Sequence, residues 1–427
     1  MRHWQAMSSE VARTASATGL RMAGAAASFV LALVLSARLG AADAGIFYTS
    51  INWATAIAVV ALWGVPMVIQ HEIPPLLAGF RAPLAPTFVG HMLLGAIARA
   101  AMLLAPLATV GVLAGSDTLR SAVEIVPLFT IALALLGLML RFAGAAAKAW
   151  GAIPLAMASE FLLAPLLMLA AIMIVPDGVS GSVGRAMLAY AIATALSLVL
   201  LLAPALVRMR RLRPARSEMP GNWKRRQTVF GQIAVGQFLI AFGAMTVLPF
   251  ALDASELGIL NLIFRIAGLL VLANATIASI AIPRLSAAQA SGGYAACRPI
   301  LRAVHALMAL TALAALALAV VAGRPVMGLA GEEFARWSWL LLPAVAGFCG
   351  AMLFGPVGSE LTLLGEERAM RDIVLPLALV GVAASLLAGW SGGIAWAAIV
   401  PGAFALLTQV LQRRALLRYR PGSVHPR

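Results

Sequence analysis

The chain has 427 residues, of which 62% are hydrophobic and 11% charged, and its mean hydropathy is +0.96. A soluble protein carries about 25% charged residues and cannot hide this much apolar side chain, so a cytosolic enzyme, a secreted disulfide scaffold and a disordered chain are excluded. What remains is an integral membrane protein with many spans, in which the net charge of +15 reports topology rather than a nucleic-acid partner.

The polar stretch 1–17 reads as a cytoplasmic tail without a cleavable signal. Twelve apolar runs follow, at 18–38, 43–67, 87–114, 122–141, 151–175, 184–207, 228–251, 256–282, 299–322, 337–358, 371–389 and 391–411. Each is near the ~20 residues that a helix needs to cross a bilayer. Six of them precede the basic stretch Arg208–Arg226 and six follow it. The expected organisation is a tail (1–17), an N-lobe (18–207), a basic cytoplasmic linker (208–227), a C-lobe (228–411) and a basic cytoplasmic tail (412–427). The basic stretch either binds lipid headgroups or a partner, or simply pins the linker inside. With the N-terminus inside, 23 Lys and Arg fall in cytoplasmic segments, Arg141 and Lys148 among them, and 5 fall in outer loops. This asymmetry places both termini in the cytoplasm.

Three arginines and one glutamate remain inside spans. A charge at a helix centre costs about 2.5–3.5 kcal/mol on insertion scales, so each needs a reason. Arg99 lies near the middle of the third run and Glu160 near the middle of the fifth. Either they pair and lock one lobe, or Arg99 meets an anion in a cavity while Glu160 tunes it or carries a proton or ion. Arg265 and Asn261 are four residues apart, on one face of the eighth run. At an offset of 213 residues, Asn52 occupies the matching place in the second run. Arg21, a few residues into the first run, either snorkels to the interface or joins the same cavity. Arg21, Asn52, Arg99, Asn261 and Arg265 are the candidate substrate-binding residues, and Glu160 is the candidate coupling carboxylate. Gln232 and Gln237 suit hydrogen bonds between helices, and Gly347, Ala351 and Gly355 form a small-residue face for close packing.

No metal, cofactor or catalytic residue is expected. The five histidines are scattered, Cys297 and Cys349 lie far apart, and no nucleotide-binding loop is present. The stretch Gly389–Gly393 fits Gly-x-Ser-x-Gly but joins two apolar runs, where a nucleophile elbow needs a strand before it. It reads as an outer turn.

The halves share a weak repeat, Ala41-Ala42-Asp43-Ala44-Gly45-Ile46 against Ala254-Ser255-Glu256-Leu257-Gly258-Ile259. Together with Thr18-Gly19-Leu20-Arg21, Ser36-Ala37-Arg38-Leu39-Gly40 and Phe47-Tyr48, the first copy resembles the start of the oligosaccharide flippases. These belong to the multidrug/oligosaccharidyl-lipid/polysaccharide (MOP) exporter superfamily. The resemblance implies an all-α membrane bundle of about twelve helices in two six-helix lobes, forming a V worked by alternating access. It implies a non-enzymatic transporter in the bacterial inner membrane. Its substrate would be a polyprenyl-diphosphate-linked oligosaccharide, moved from the cytoplasmic to the outer face. Membrane lipids surround it, and glycan polymerases or glycosyltransferases are candidate partners. An arginine-rich cavity suits the diphosphate. Two alternatives stay open. A cation-coupled multidrug antiporter of the same superfamily would expect a carboxylate in the first or seventh run, and both runs lack one. A membrane-embedded glycan-modifying enzyme would expect a catalytic cluster near one membrane face.

Overall fold

The computed structural model describes residues 2–78, 84–113, 125–174, 183–210 and 223–418, and all regular structure among them is helical. The helices are α1 (Arg2–Leu62), α2 (Val65–Ala78), α3 (Leu84–Leu113), α4 (Ile125–Ala149), α5 (Ile153–Met157), α6 (Ala164–Ile174), α7 (Val183–Arg210), α8 (Trp223–Phe242), α9 (Ala244–Val247), α10 (Ala254–Gly328), α11 (Glu332–Arg336), α12 (Leu341–Leu353), α13 (Val357–Leu363) and α14 (Glu367–Arg418). A π-helical turn, Ala158–Leu163, joins α5 to α6. Runs of Ala, Leu and Met favour helix intrinsically, and in lipid the helix satisfies every backbone group from within.

Among the described residues nine helices are long and apolar enough to cross a bilayer, and the pair 223–242 and 244–250, bent by 75°, makes a tenth. Two of the nine each merge two helices. Gly40 (φ 75°) bends α1, and Gly393 (φ 62°) bends α14. Counting their halves separately gives twelve, the number the apolar runs predict. In the stretch Gly389–Gly393, where an outer turn is expected, two helices meet at a kink whose non-helical residue is Gly393, and Ser391 Oγ donates to the carbonyl of Leu387, one turn back. The expected tail 1–17 belongs to α1 from Arg2 onward, because no proline or glycine interrupts the chain before Gly19.

The chain forms two compact units. One comprises Met1–Leu39 with Asp43–Val235; the other comprises Gly40–Ala42 with Gly236–Arg427. The division falls inside α8, beyond the 227/228 boundary expected from charge. The cause is local. In the first unit α1 breaks at Trp63 (φ 37°) and Gly64 (φ 75°), and the first turns of α8 lie directly on the break. A Cβ on Gly64 would sit 2.5 Å from the Gln227 carbonyl oxygen, and one on Gly231 would sit 2.8 Å from the Trp63 ring. Phe230 stacks on His71, Trp223 meets Phe88 edge-on, and Arg226 bonds Glu72 at 2.8 Å. The middle of the basic stretch, 211–222, lies outside the described residues, but Lys224–Arg226 are helical. Behind the break, Val65, Ile69, Ile73, Phe88, Met92, Leu138 and Phe142 form the buried core of α2, α3 and α4.

In the second unit α12 packs between α10 and α14. The N-terminus of α10 has a capping box: Glu256 N–H donates to Asp253 Oδ1 at 2.8 Å, and Asp253 N–H to Glu256 Oε2 at 3.3 Å. This explains the repeat, since both copies mark a helix restarting after a break. At the first copy the Ala41 N–H is satisfied differently, by the Glu333 carboxylate at 2.7 Å. Gly347 is the tight member of the small-residue face: a Cβ there would lie 2.5 Å from Gly402 Cα on α14. Gly355 is not a packing residue of that face. It sits at the break after α12 (φ 76°), with the His305 imidazole against it.

Candidate functional site: a charged cavity in the first unit

The site begins with the spacing of three residues on α4. Arg141, Gly144 and Lys148 are separated by three and four positions, so they share one helix face. The π turn sets Glu160 opposite them, and wide turns of this type are frequent at functional sites. The Glu160 carboxylate rests on Gly144, where a Cβ would overlap it. One turn beyond, Lys148 Nζ reaches Glu160 Oε2 at 2.5 Å, with the two side chains 17% and 10% exposed. One turn before lies Arg141, which is exposed although Phe142–Ala147 are all buried. It lines a cavity of about 200 Å³, whose polar lining is Ser28, Thr55, Arg141, Glu160, Tyr190 and Thr194. The cavity is smaller than the ~300–1,000 Å³ pockets that engulf whole ligands, and matches a compact charged group rather than a glycan.

Arg21 approaches the same carboxylate from α1. Its guanidinium carbon lies 5.4 Å from the centre of the Phe161 ring, next in sequence to Glu160. One turn along, Gly24 lets the helices touch: a Cβ there would lie 2.6 Å from the Phe161 carbonyl oxygen. Arg21 and Arg141 both interact electrostatically with Glu160. One carboxylate is thus paired with an ammonium and lies in the field of two guanidinium groups.

The other candidates lie elsewhere. Arg99 and Glu160 do not pair, because each has a nearer partner. Arg99 Nε–H donates to the Ala61 carbonyl at 2.7 Å, an oxygen left without its helical donor by the break at Trp63–Gly64. Arg99 thus caps the end of α1. Asn52 adjoins the lining residues Ile51, Ala54 and Thr55 without lining the cavity itself. Asn261 and Arg265 belong to the second unit. Asn261 is 3% exposed and its amide donates to the Leu257 carbonyl at 2.9 Å, one turn back on its own helix, while Arg265 is half-buried. Among the described residues no group of three or more His, Cys, Asp or Glu could hold a metal.

No protein-family model matches the chain, and no curated protein does. Solved structures do. An inward-facing multidrug-resistance MATE transporter of the MOP superfamily superposes with a TM-score of 0.66 at 14% identity, over 93% of this chain and 96% of that one. A mutant of the Vibrio cholerae MATE transporter VcmN gives 0.61 at 17% identity, over 97% and 98%. A MOP-superfamily transporter from Pyrococcus furiosus, whose binding pocket has a reversed polarity that suggests a different function, gives 0.60 at 14%, over 96% of each. The fold is that of MATE transporters in the MOP superfamily.

Within this MOP fold, sequence reasoning missed Arg141 and Lys148 and assigned them to a cytoplasmic connection. The helix instead continues through Arg141 to Ala149, and both lie within the candidate span Leu128–Ala149. The signal was available: Phe142-Ala143-Gly144-Ala145-Ala146-Ala147 continues the apolar pattern past the charge. Ending the run at the first arginine hid a one-face Arg-x-x-Gly-x-x-x-Lys pattern.

Proposed function

We propose that this protein is a transporter that moves an anionic, lipid-linked substrate across the bacterial inner membrane. The substrate is a polyprenyl-diphosphate-linked oligosaccharide, carried from the cytoplasmic to the outer face by alternating access, and both chain termini are cytoplasmic. The observation that carries this reading is the cavity beside α4, lined by Arg141 and Glu160, with Lys148 paired to Glu160 and Arg21 over the adjacent Phe161 ring. Guanidinium groups bind phosphate oxygens through paired, directional hydrogen bonds, and do so more strongly out of bulk water. The diphosphate is the part of such a substrate that fits a small cationic pocket; the glycan and prenyl chain need other surfaces. The membrane potential assists, since an anion leaving a negative interior gains about 2.3 kcal/mol per charge per 100 mV. Candidate partners are the glycan polymerases or glycosyltransferases that supply and consume the substrate. The arginine-lined pocket and the likeness of the first helix to oligosaccharide flippases support the same assignment.

A second reading is a cation-coupled multidrug antiporter. It is favoured by the names of the structural neighbours and by Glu160, a carboxylate in the cavity wall. One experiment separates the two. The protein is reconstituted into proteoliposomes containing a fluorescent polyprenyl-diphosphate sugar, and loss of accessibility from the outer leaflet is timed. In parallel, proton-driven efflux of a cationic dye is measured. The flippase reading predicts flipping that falls at least tenfold in Arg141→Gln, without dye transport. Dye transport without lipid flipping would establish the antiporter instead.

A further inference from the structure

We infer that Glu160 is a resident counter-ion occupying the anion site, so that an incoming phosphate group must displace its carboxylate from the cradle on α4. The inference rests on the anion-cavity reading above and names how that site is held when empty.

The geometry has three parts. Glu160 projects from the π turn onto the α4 face bearing Arg141, Gly144 and Lys148, and its carboxylate lies where a side chain on Gly144 would otherwise be. Lys148 holds one carboxylate oxygen at 2.5 Å, Arg141 shares the cavity lining with it, and Arg21 lies over the ring of the adjacent Phe161. The same residues, Arg141 and Glu160, line the cavity. Three cations with no anion would repel one another in a medium where charges interact several times more strongly than in water. A carboxylate on a flexible stem removes that repulsion and can yield its place. It presents two oxygens, as a phosphate edge does, so it satisfies the same donors.

The charged and titratable groups facing Glu160 are Arg141 and Lys148 on α4, Arg21 on α1 and, across the cavity, Tyr190 on α7. All belong to the first unit. A substrate anion therefore gains contacts that Glu160 gives up, and the binding observed is the difference between the two. Such a site is selective: a weak single-charge anion does not displace the carboxylate, whereas a diphosphate with several oxygens does. Emptying is fast for the same reason, because the departing anion is replaced at once rather than leaving bare cations behind.

The test is titration of the purified full-length protein in lipid nanodiscs with inorganic pyrophosphate, followed by calorimetry. Glu160→Gln keeps the shape and removes the competing charge. Gly144→Ala leaves every charge in place but fills the cradle, so the carboxylate must swing away. Both variants are expected to bind pyrophosphate about tenfold more tightly than wild type, and Arg141→Gln to weaken it about as much. Tighter binding in Gly144→Ala alone supports the inference even if Glu160→Gln fails to fold. If pyrophosphate binds wild type, is weakened by Arg141→Gln, but binds both other variants no better, the counter-ion role is overturned and the anion cavity stands. If no variant binds pyrophosphate, the anion-cavity reading itself falls.

Discussion

Replacing Lys148 by Met removes the cation that holds Glu160 and leaves that carboxylate one-tenth exposed beside an apolar helix face. Breaking one partner of a buried pair costs about 3–5 kcal/mol, since the remaining charge keeps its desolvation penalty. Two features of this site reduce that figure. Arg141 and Arg21 still interact with Glu160, and the cavity admits solvent to the carboxylate. The expected loss is therefore roughly 2 kcal/mol for Lys148→Met. Removing both charges together, Lys148→Met with Glu160→Gln, leaves no isolated ion. The double variant should recover about half of the loss or more, a coupling of about 1 kcal/mol. The assay is denaturant titration of the detergent-solubilised protein, followed by tryptophan fluorescence. Trp63 and Trp150 are half-buried in the first unit and report on its packing. A neutral Lys148→Met, or a double variant less stable than the single, would refute the reasoning that these two groups form an interdependent pair.

Three further outcomes follow from individual contacts. Gly347→Ala places a methyl group against the backbone at Gly402, which cannot yield as a side chain would; a stability loss of about 1–3 kcal/mol is expected in thermal unfolding. Tyr294→Phe removes the phenol that donates to Glu360 Oε2 at 2.6 Å, and Glu360 is 1% exposed. That variant should lose about 1–3 kcal/mol, and adding Glu360→Leu should recover part of it in the same unfolding assay. Arg99→Leu leaves the Ala61 carbonyl uncapped and should lower stability by about 1–2 kcal/mol. Because Arg99 lies outside the cavity lining, pyrophosphate affinity in the folded Arg99→Leu variant should change less than twofold, within ~0.4 kcal/mol.

The membrane class, the all-helical fold and the number of crossings were legible because hydropathy over some twenty residues integrates a signal that one polar residue cannot erase. The repeat was legible for a local reason: helix restarts favour acidic caps, and Asp253 with Glu256 forms one. Charges inside spans stand out in the sequence as needing partners, but their partners were not readable. Arg99 meets a backbone carbonyl, and no periodicity reveals that the helix ahead of it breaks at Trp63, a non-glycine residue at positive φ. Glu160 meets Lys148 only because helix α4 runs eight residues past Arg141, where a charge had marked its end. The unit boundary inside α8 was equally hidden, since it depends on a backbone-to-backbone fit at Gly64 and Gly231. Charge density placed a linker there, while close packing attached the first turns of the helix to the preceding unit.

The central claim is that the space beside α4 is wet and cationic, and thiol chemistry measures this directly. A single cysteine is placed in the lining by Ser28→Cys, in a background where Cys297 and Cys349 are replaced. Reaction rates are then compared for an anionic and a cationic methanethiosulfonate of similar size, with and without pyrophosphate. The account predicts that the anionic reagent reacts about tenfold faster or more, relative to free cysteine, because a charged cleft concentrates ions of opposite sign. Pyrophosphate should protect the thiol. Equal rates, a faster cationic reagent or a thiol that neither reagent reaches would contradict it.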